Sequence, residues 1–316
     1  MNTIFKFNRQ RSGIHILLVF ISVLIVGCGC ISKKSQVGTD SVNQNYFNSG
    51  RAYRDVLLQE SLGPRIPGSP GHQKIIIWMV EELTDAGWQT KLQILQVEGK
   101  TVKNLIAWRG DYQAEHLLLG AHYDTRIFAD QDPDPDLRDQ PVPGANDGAS
   151  GVAVLLEMAR VLPENLGIPV RLVFFDAEDN GGIGDYDWIL GSKGYLESGE
   201  VEPLGVVIVD MIGDRELNIH YEQTSDPILK EQIWDTAHNL GYGDAFIRTE
   251  KYAMLDDHTP FLEAGIPAVD IIDFDYRYWH TTADTSDKVA PESLEAVGAT
   301  LVDWLKRIKK RDLIRE

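Results

Sequence analysis

Four short, mainly apolar runs, each followed directly or within a few residues by polar side chains, constrain the fold of this chain more than any other feature. They are residues 117–120, 170–175, 205–209 and 268–272. Apolar runs of this length are typical of central strands that are covered on both faces. Segments with helical spacing of apolar residues separate them. We therefore predict an α/β fold with a mixed, mostly parallel central sheet and helices on both faces.

Further elements follow from the same patterns. Residues 90–96 and 104–108 are predicted as strands, and helices are predicted at residues 51–61, 75–86, 151–162, 228–240 and 293–306. Residues 62–72 are rich in proline and glycine and predict an ordered loop. The length of 316 residues is compatible with one large α/β domain.

The first thirty residues have the pattern of an export signal. Three basic residues lie within the first eleven, and residues 14–26 form an apolar stretch that is shorter than a comfortable membrane span. The stretch leads into Gly27-Cys28, which resembles a bacterial lipobox, where the cysteine is acylated and becomes the new N-terminus. An ordinary signal peptide and an uncleaved anchor are the alternatives.

The predicted organisation is a lipoprotein signal peptide at residues 1–28, a flexible polar tether at 29–45 and one folded domain at 46–316. A lipid anchor on Cys28 would hold the exported chain to a membrane of the bacterial cell envelope. Cys28 and Cys30 are the two cysteines, so residues 46–316 contain no thiolate metal ligand. The formal net charge of −18 argues against a nucleic-acid partner, since phosphate binding requires clusters of Lys and Arg.

The polar residues that follow the apolar runs predict a metal site. The carboxyl ends of parallel strands meet at one edge of a sheet, so side chains placed there can come together. The candidates are His122, Asp147, Glu178, Asp179, Asp210 and His280. Imidazoles and carboxylates are zinc ligands, and a spare carboxylate beside them can move protons. The sequence therefore predicts a metalloenzyme.

Each candidate also has a simpler interpretation when it is taken alone. Asp147 lies between glycines before a predicted helix, where it could act as an N-cap instead of a ligand. Glu178 and Asp179 could form a solvated acidic turn, and Trp279 could be ordinary core packing. In an extended segment Asp124 would point to the same face as His122 and could orient its imidazole.

Several motifs in one order carry a family resemblance that runs from about Tyr46 to the C-terminus. They read LGPRIPGSPGH, GAHYDT, GANDGASGVAVLLEMAR, VFFDAED, LGS, VDMIGD, DDHTPFLEAGIP and YWHTTADT. In this order they resemble the zinc-dependent exopeptidase superfamily, which contains bacterial aminopeptidases and the animal-type glutaminyl cyclases. The resemblance implies a single catalytic domain with the fold of the zinc aminopeptidases.

The closer likeness is to the glutaminyl cyclases, and to bacterial members of the animal type. Asp256-Asp257-His258 replaces the Ser-Asp-His that is typical of aminopeptidases, and Trp279 directly precedes a metal-ligand histidine. The implied activity converts the N-terminal Gln of peptides or proteins into pyroglutamate and releases ammonia.

The resemblance also assigns roles. It implies one zinc ion, held by Asp147, Asp179 and His280. Glu178 would be the catalytic acid/base, with Asp210 and Asp256 in a supporting hydrogen-bond network, while Trp279 and Tyr276 would line the pocket for the Gln side chain.

Some positions depart from the pattern of the animal enzymes. Asp179 replaces a glutamate, Leu255 replaces a glutamine, and Trp188 is the nearest candidate for a second pocket tryptophan. The cysteine pair of the animal enzymes is absent. These departures bear on substrate preference more than on metal binding.

Two alternatives remain open. His122 and Asp210 complete the ligand set of a two-zinc aminopeptidase, which would hydrolyse the first peptide bond with water as the nucleophile. The minor alternative is a lipoprotein that binds peptides without catalysis.

Overall fold

The computed structural model of the chain describes residues 46–313, which lie in one compact unit. The predicted signal peptide, the tether and the acylated Cys28 lie outside the described residues. Between residues 46 and 313, no helix is both long and apolar enough to cross a membrane.

A six-stranded sheet runs through the domain in the order β1-β2-β4-β3-β5-β8. Its strands are β1 (Gln89–Val97), β2 (Lys100–Trp108), β3 (Leu117–His122), β4 (Val170–Phe175), β5 (Gly205–Asp210) and β8 (Ala268–Ile272). The β4, β3, β5 and β8 strands are parallel, whereas β1 and β2 form an antiparallel hairpin at one side. A separate parallel pair joins β6 (Ile219–Tyr221) and β7 (Phe246–Glu250).

Seven α-helices are present in the described part of the chain. They are α1 (Ser49–Ser61), α2 (Pro70–Asp85), α3 (Ala149–Val161), α4 (Leu190–Glu197), α5 (Pro227–Leu240), α6 (Thr259–Glu263) and α7 (Pro291–Arg307). Proline in the first turn starts α2, α5, α6 and α7, where its missing N–H costs nothing. The predicted fold, a single α/β domain with a mixed and mostly parallel sheet, is confirmed.

Both faces of the sheet are covered, as the apolar strands require. Leu117 and Leu119 of β3 pack into a large core shared with α1, α2, α3, α5 and α7. Leu118 points to the opposite face, where it packs into a smaller core with Tyr195 of α4 and Phe261 of α6. The alternation places every side chain of β3 in the interior, which explains why its sequence is continuously apolar.

Four short elements were not predicted from the sequence: α4, α6, β6 and β7. The five residues of α6 and the three of β6 are too few to show a period. Helix α4 contains Gly191 and Gly194, which are poor helix formers. Gly191 is needed because a Cβ there would lie 2.4 Å from the carbonyl oxygen of Asp176.

Helix α3 lies unusually close to the sheet at Gly151. A Cβ at this position would lie 2.5 Å from the carbonyl oxygen of Val209 and 2.9 Å from the Cβ of Ala121. The glycine thereby lets α3 approach β3 and β5 at the end that carries the polar residues.

We expect Gly151→Ala to lower the free energy of unfolding by about 1–3 kcal/mol, because α3 must move away from the sheet to admit a methyl group. Gly50→Ala is the matched control: its methyl would meet only Asn48 Oδ1, at 3.5 Å, so that change should stabilise α1 by up to about 1 kcal/mol. Urea unfolding measures both variants, and equal effects would contradict the close approach.

Candidate metal centre

The predicted site residues come together at the carboxyl edge of the sheet. His122 and Asp210 are the last residues of β3 and β5. Asp179 follows β4 by a short turn, His280 lies in the loop after β8, and Asp147 lies two residues before α3. The strand ends thus converge although the residues are far apart in sequence.

Asp147, Asp179 and His280 form one group of potential ligands. Their ligand atoms all lie within 4.8 Å of one another, and all three side chains are buried. His280 Nε2 is 2.7 Å from Asp179 Oδ1 and 3.7 Å from Asp147 Oδ2. Asp147 Oδ2 and Asp179 Oδ2 have no hydrogen-bond partner among residues 46–313. Buried carboxylate oxygens without donors are costly, so the group fits a zinc ion.

His122, Asp147 and Asp210 form a second group within the same 4.8 Å limit. His122 Nε2 lies 3.1 Å from Asp147 Oδ1 and 3.1 Å from Asp210 Oδ1. Asp147 belongs to both groups, with one oxygen toward each imidazole. The geometry therefore accommodates one ion or two.

Asp124 organises the turn that carries the acidic pair. Its carboxylate accepts the backbone N–H of Glu178 at 3.0 Å and of Asp179 at 3.4 Å, and the amide of Asn180 at 3.1 Å. Its Oδ1 is also 3.5 Å from His122 Nδ1. The sequence predicted the contact with His122, but the larger role of Asp124 is to hold the turn after β4.

The segment around Asp147 is held by two residues to which the sequence assigned no role. Asp284 accepts the backbone N–H groups of Asn146 at 2.9 Å and Asp147 at 3.1 Å. The buried guanidinium of Arg65 donates to the carbonyl oxygens of Tyr123 at 2.9 Å and Gly144 at 2.6 Å. A lone arginine within the Pro- and Gly-rich loop at residues 62–72 was the available signal for this role.

Gly148, which follows Asp147 directly, has a φ of 82° and approaches His122 closely. A Cβ there would lie 3.0 Å from His122 Cε1 and 3.0 Å from the carbonyl oxygen of Asp124, which is tighter than an ordinary contact. The glycines around Asp147 thus serve close approach, as the sequence pattern suggested.

Arg126 connects the turn that carries Glu178 and Asp179 to Asp130, which lies beside His280. Its guanidinium donates to the carbonyl oxygen of Asp179 at 2.7 Å and to both carboxylate oxygens of Asp130 at 2.8 and 2.7 Å. Asp130 Oδ1 is 3.7 Å from His280 Nδ1, and the guanidinium lies 5.0 Å from the ring of Trp188. This arginine follows GAHYDT directly, and its role was missed.

Glu178 is buried beside the ligands and is suited to move a proton. Burial raises the pKa of its carboxyl group well above the ordinary value, the positive charge of His122 opposes the shift, and Asp256, Asp179 and Asp257 add to it. A buried carboxyl group with a raised pKa is a candidate for acid/base work. Asp256 is only 4% exposed and lies in the same cavity wall.

A cavity of about 220 Å³ opens onto these groups. Its polar wall is formed by Glu178, Asp179, Asp210, Asp256 and His280, and its apolar wall by Trp188, Met211, Met254, Leu255, Ile272, Phe274 and Trp279.

Two tryptophans flank His280 in this cavity. Trp279 stacks on the imidazole with ring centroids 3.7 Å apart, and its own edge contact is with Phe274 at 5.1 Å. Trp188 lies nearly parallel to the same imidazole at 6.1 Å. The structure therefore places both Trp279 and Trp188 where the sequence suggested.

Tyr276 lies elsewhere, and this corrects the prediction that it lines the pocket. It is 3% exposed and is not part of the cavity wall. Its hydroxyl group donates to Asp284 Oδ1 at 2.6 Å. Tyr276 therefore supports the segment around Asp147 through Asp284.

A mixed sheet with buried imidazoles and carboxylates gathered at its carboxyl edge is the arrangement expected of a metal-dependent α/β enzyme. The chain belongs to peptidase family M28, whose family profile matches residues 104–305. This range contains every predicted metal ligand, from His122 to His280. Membership of the superfamily of zinc exopeptidases and glutaminyl cyclases is thereby confirmed.

Solved structures and a sequence relative agree with this assignment. Glutaminyl cyclase of Porphyromonas gingivalis is 34% identical, with a TM-score of 0.78 over 83% of this chain and 98% of that chain. A Zn-dependent exopeptidase from Parabacteroides distasonis is 31% identical, with a TM-score of 0.79 over 84% of this chain and 100% of that chain. Glutaminyl-peptide cyclotransferase of Boiga irregularis is 24% identical over 294 residues, covering 78% of each protein.

The metal-free protein should lose stability as pH rises from 5.5 to 8. Burial raises the pKa of Asp179 to about 6 and those of Asp210 and Asp284 to about 7, against roughly 3.9 in an unfolded chain. Burial opposes protonation of His122, but the neighbouring carboxylates, Asp210 first, raise its pKa well above the ordinary value. All four groups bind protons more tightly in the folded state than in the unfolded chain. Their contributions to the free energy of unfolding therefore decrease as the pH rises and the protons dissociate.

Thermal unfolding of chelator-treated protein should therefore give a lower Tm at pH 8 than at pH 5.5. Zinc binds the deprotonated ligands, so the Tm gained from added zinc should be larger at pH 8. Asp210→Asn should flatten the profile of the metal-free protein, whereas the matched change at the 63% exposed Asp235 should leave it unchanged. A Tm of the metal-free protein that rises with pH would contradict the raised pKa values of these buried groups.

Proposed function

We propose that this protein is a zinc-dependent glutaminyl-peptide cyclotransferase, which converts the N-terminal Gln of peptides or proteins into pyroglutamate and releases ammonia. The observation that carries the proposal is the small cavity in which buried Glu178 lies beside Asp179 and His280 and which Trp188 and Trp279 enclose. The similarity to the Porphyromonas gingivalis glutaminyl cyclase supports it.

Asp147, Asp179 and His280 would hold the zinc ion, which supplies Lewis acidity to the γ-carboxamide carbonyl of the substrate. We favour one ion, since Asp179 and His280 of this group line the cavity with Glu178 and both tryptophans, whereas only Asp210 of the second group does. Trp188 and Trp279 would enclose the Gln side chain, and their apolar surface would exclude water. The bound side chain would thus be folded back toward its own amine, so the attack gains from proximity.

Glu178 would transfer the proton that the reaction must move. The α-amine, whose pKa is roughly 7.7–8.0 when free, has a useful neutral fraction at pH 7. Its nitrogen forms a bond to the γ-carboxamide carbon, Glu178 accepts a proton from that nitrogen, and the same proton goes to the leaving nitrogen as ammonia departs. Asp210 and Asp256, in the same cavity wall, would hold Glu178 in position.

A second candidate function is hydrolysis by a zinc aminopeptidase. The observation that favours it is the second ligand group, in which His122 Nε2 lies 3.1 Å from both Asp147 and Asp210. In that reaction Glu178 would take a proton from water instead of from the substrate amine. The two functions therefore differ in the attacking nucleophile.

Product analysis separates the two functions. Zinc-loaded protein should convert a Gln-initiated peptide into a product that has lost the mass of ammonia, and it should not release p-nitroaniline from Leu-p-nitroanilide. Release of the leucine product without pyroglutamate formation would establish the aminopeptidase instead.

Glu178→Gln should lower kcat for pyroglutamate formation by about 10²–10⁴-fold, because it removes the acid/base but keeps the side-chain shape. Zinc content should stay at the level of the unchanged protein. Glu197→Gln, at the exposed end of α4, is the matched control and should have the activity of the unchanged protein. Wild-type activity in Glu178→Gln would remove the proposed role.

We also propose that the enzyme is an exported lipoprotein anchored through Cys28, which the sequence around Gly27-Cys28 supports. Expressed in a bacterium fed with labelled palmitate, the full chain should incorporate label and sediment with membranes. Cys28→Ser should abolish both properties, and retention of label in that variant would contradict the proposal.

A further inference from the structure

A third buried group of potential ligands lies behind one wall of the cavity. It consists of Asp256, His258 and Asp270, and we call it the Asp256 cluster. Their ligand atoms all lie within 4.8 Å of one another, and the three side chains are 4%, 0% and 0% exposed. The cluster shares no residue with the two groups built around Asp147.

Hydrogen bonding fixes the orientation of the His258 imidazole. Thr224 Oγ1 lies 3.0 and 2.9 Å from the two carboxylate oxygens of Glu222, so its one hydroxyl proton is donated there. The same Oγ1 is 2.9 Å from His258 Nε2 and therefore accepts the Nε2–H. The other nitrogen, Nδ1, points toward Asp270, whose Oδ2 is 3.8 Å away.

The cluster thus collects lone pairs without a donor. His258 Nδ1, both carboxylate oxygens of Asp270 and Oδ2 of Asp256 have no N–H or hydroxyl hydrogen-bond partner in the described part of the chain. Native proteins rarely leave buried polar atoms in this state, because each loses its hydration without compensation. Two facing carboxylates and an imidazole nitrogen need either a bound cation or a shared proton between them.

We propose that Asp256, His258 and Asp270 bind a divalent metal ion, with zinc as the chemistry that fits best. One imidazole nitrogen and two carboxylate oxygens are a zinc ligand set. The chain from His258 through Thr224 to Glu222 also has the form of an outer-shell contact, in which a ligand histidine donates its other N–H toward a carboxylate.

The cluster lies where an ion can reach it from the cavity, and a bound ion would affect the cavity wall. Asp256 lines the cavity, so an ion can reach the cluster from the substrate side. Its Oδ1 accepts the backbone N–H of Asp257, which leaves Oδ2 for the ion. The ion would fix the carboxylate of Asp256 in the cavity wall, and this inference does not depend on which reaction the enzyme catalyses.

Diffraction at the zinc absorption edge tests the inference on the unmodified protein. Crystals grown with zinc chloride should show an anomalous peak about 2.0–2.2 Å from His258 Nδ1 and from oxygens of Asp256 and Asp270. This peak should be separate from the one at Asp147, Asp179 and His280. Absence of a peak at the Asp256 cluster overturns the inference. Shared protons would then neutralise the cluster instead of a metal ion.

Metal analysis of variants provides an independent measurement. Asp270→Asn should bind one zinc per chain fewer than the unchanged protein after gel filtration. Asp273→Asn is the control, because Asp273 is a buried aspartate nearby whose oxygens already accept backbone N–H groups from Asn218 and Asp275. An unchanged zinc content in Asp270→Asn overturns the inference. If that variant does not fold, the zinc-edge map of the unmodified protein decides.

Discussion

The burial of negative charge at one edge of the sheet is the constraint on which the rest of this structure depends. Asp147, Asp179 and Asp210 are each almost fully buried, yet the buried guanidinium groups of Arg65 and Arg126 donate to backbone carbonyl oxygens of these segments. Such an arrangement is unfavourable without protons or cations to neutralise it. The architecture therefore suits a bound metal ion, and the same burial raises the pKa of Glu178.

The scaffold meets this constraint with backbone groups more than with opposite charges. Asp124 and Asp284 each accept several N–H groups from the segments that carry the ligands. Gly148 and Gly151 let α3 and its preceding turn approach His122 and β5 closely. Rigid placement of the ligands thus comes from turns that are held at both ends, which is the preorganisation that a metal site requires.

The sequence predicted the central strands to within two residues, because a strand that is covered on both faces must be apolar throughout. It also predicted the candidate ligands, which the structure brings together, because the carboxyl ends of parallel strands meet at one edge of the sheet. It missed Arg65, Arg126 and Asp284, whose partners are backbone groups of segments distant in the chain. Tyr276 was predicted to line the pocket, but its hydroxyl group bonds to Asp284, and the sequence does not indicate in which direction an aromatic side chain three positions before Trp279 points.

The two oxygens of Asp147 face different imidazoles, so both groups of potential ligands share this carboxylate. The shared carboxylate affects how the two groups would fill with metal ions. An ion bound by one oxygen withdraws charge from the carboxylate that the second ion would need, and two dications on one carboxylate also repel each other. Occupancy of the two groups is then negatively cooperative. At limiting metal, chains carrying a single ion would predominate over a mixture of empty and doubly loaded chains, and the free metal concentration of the compartment would set the nuclearity of the centre.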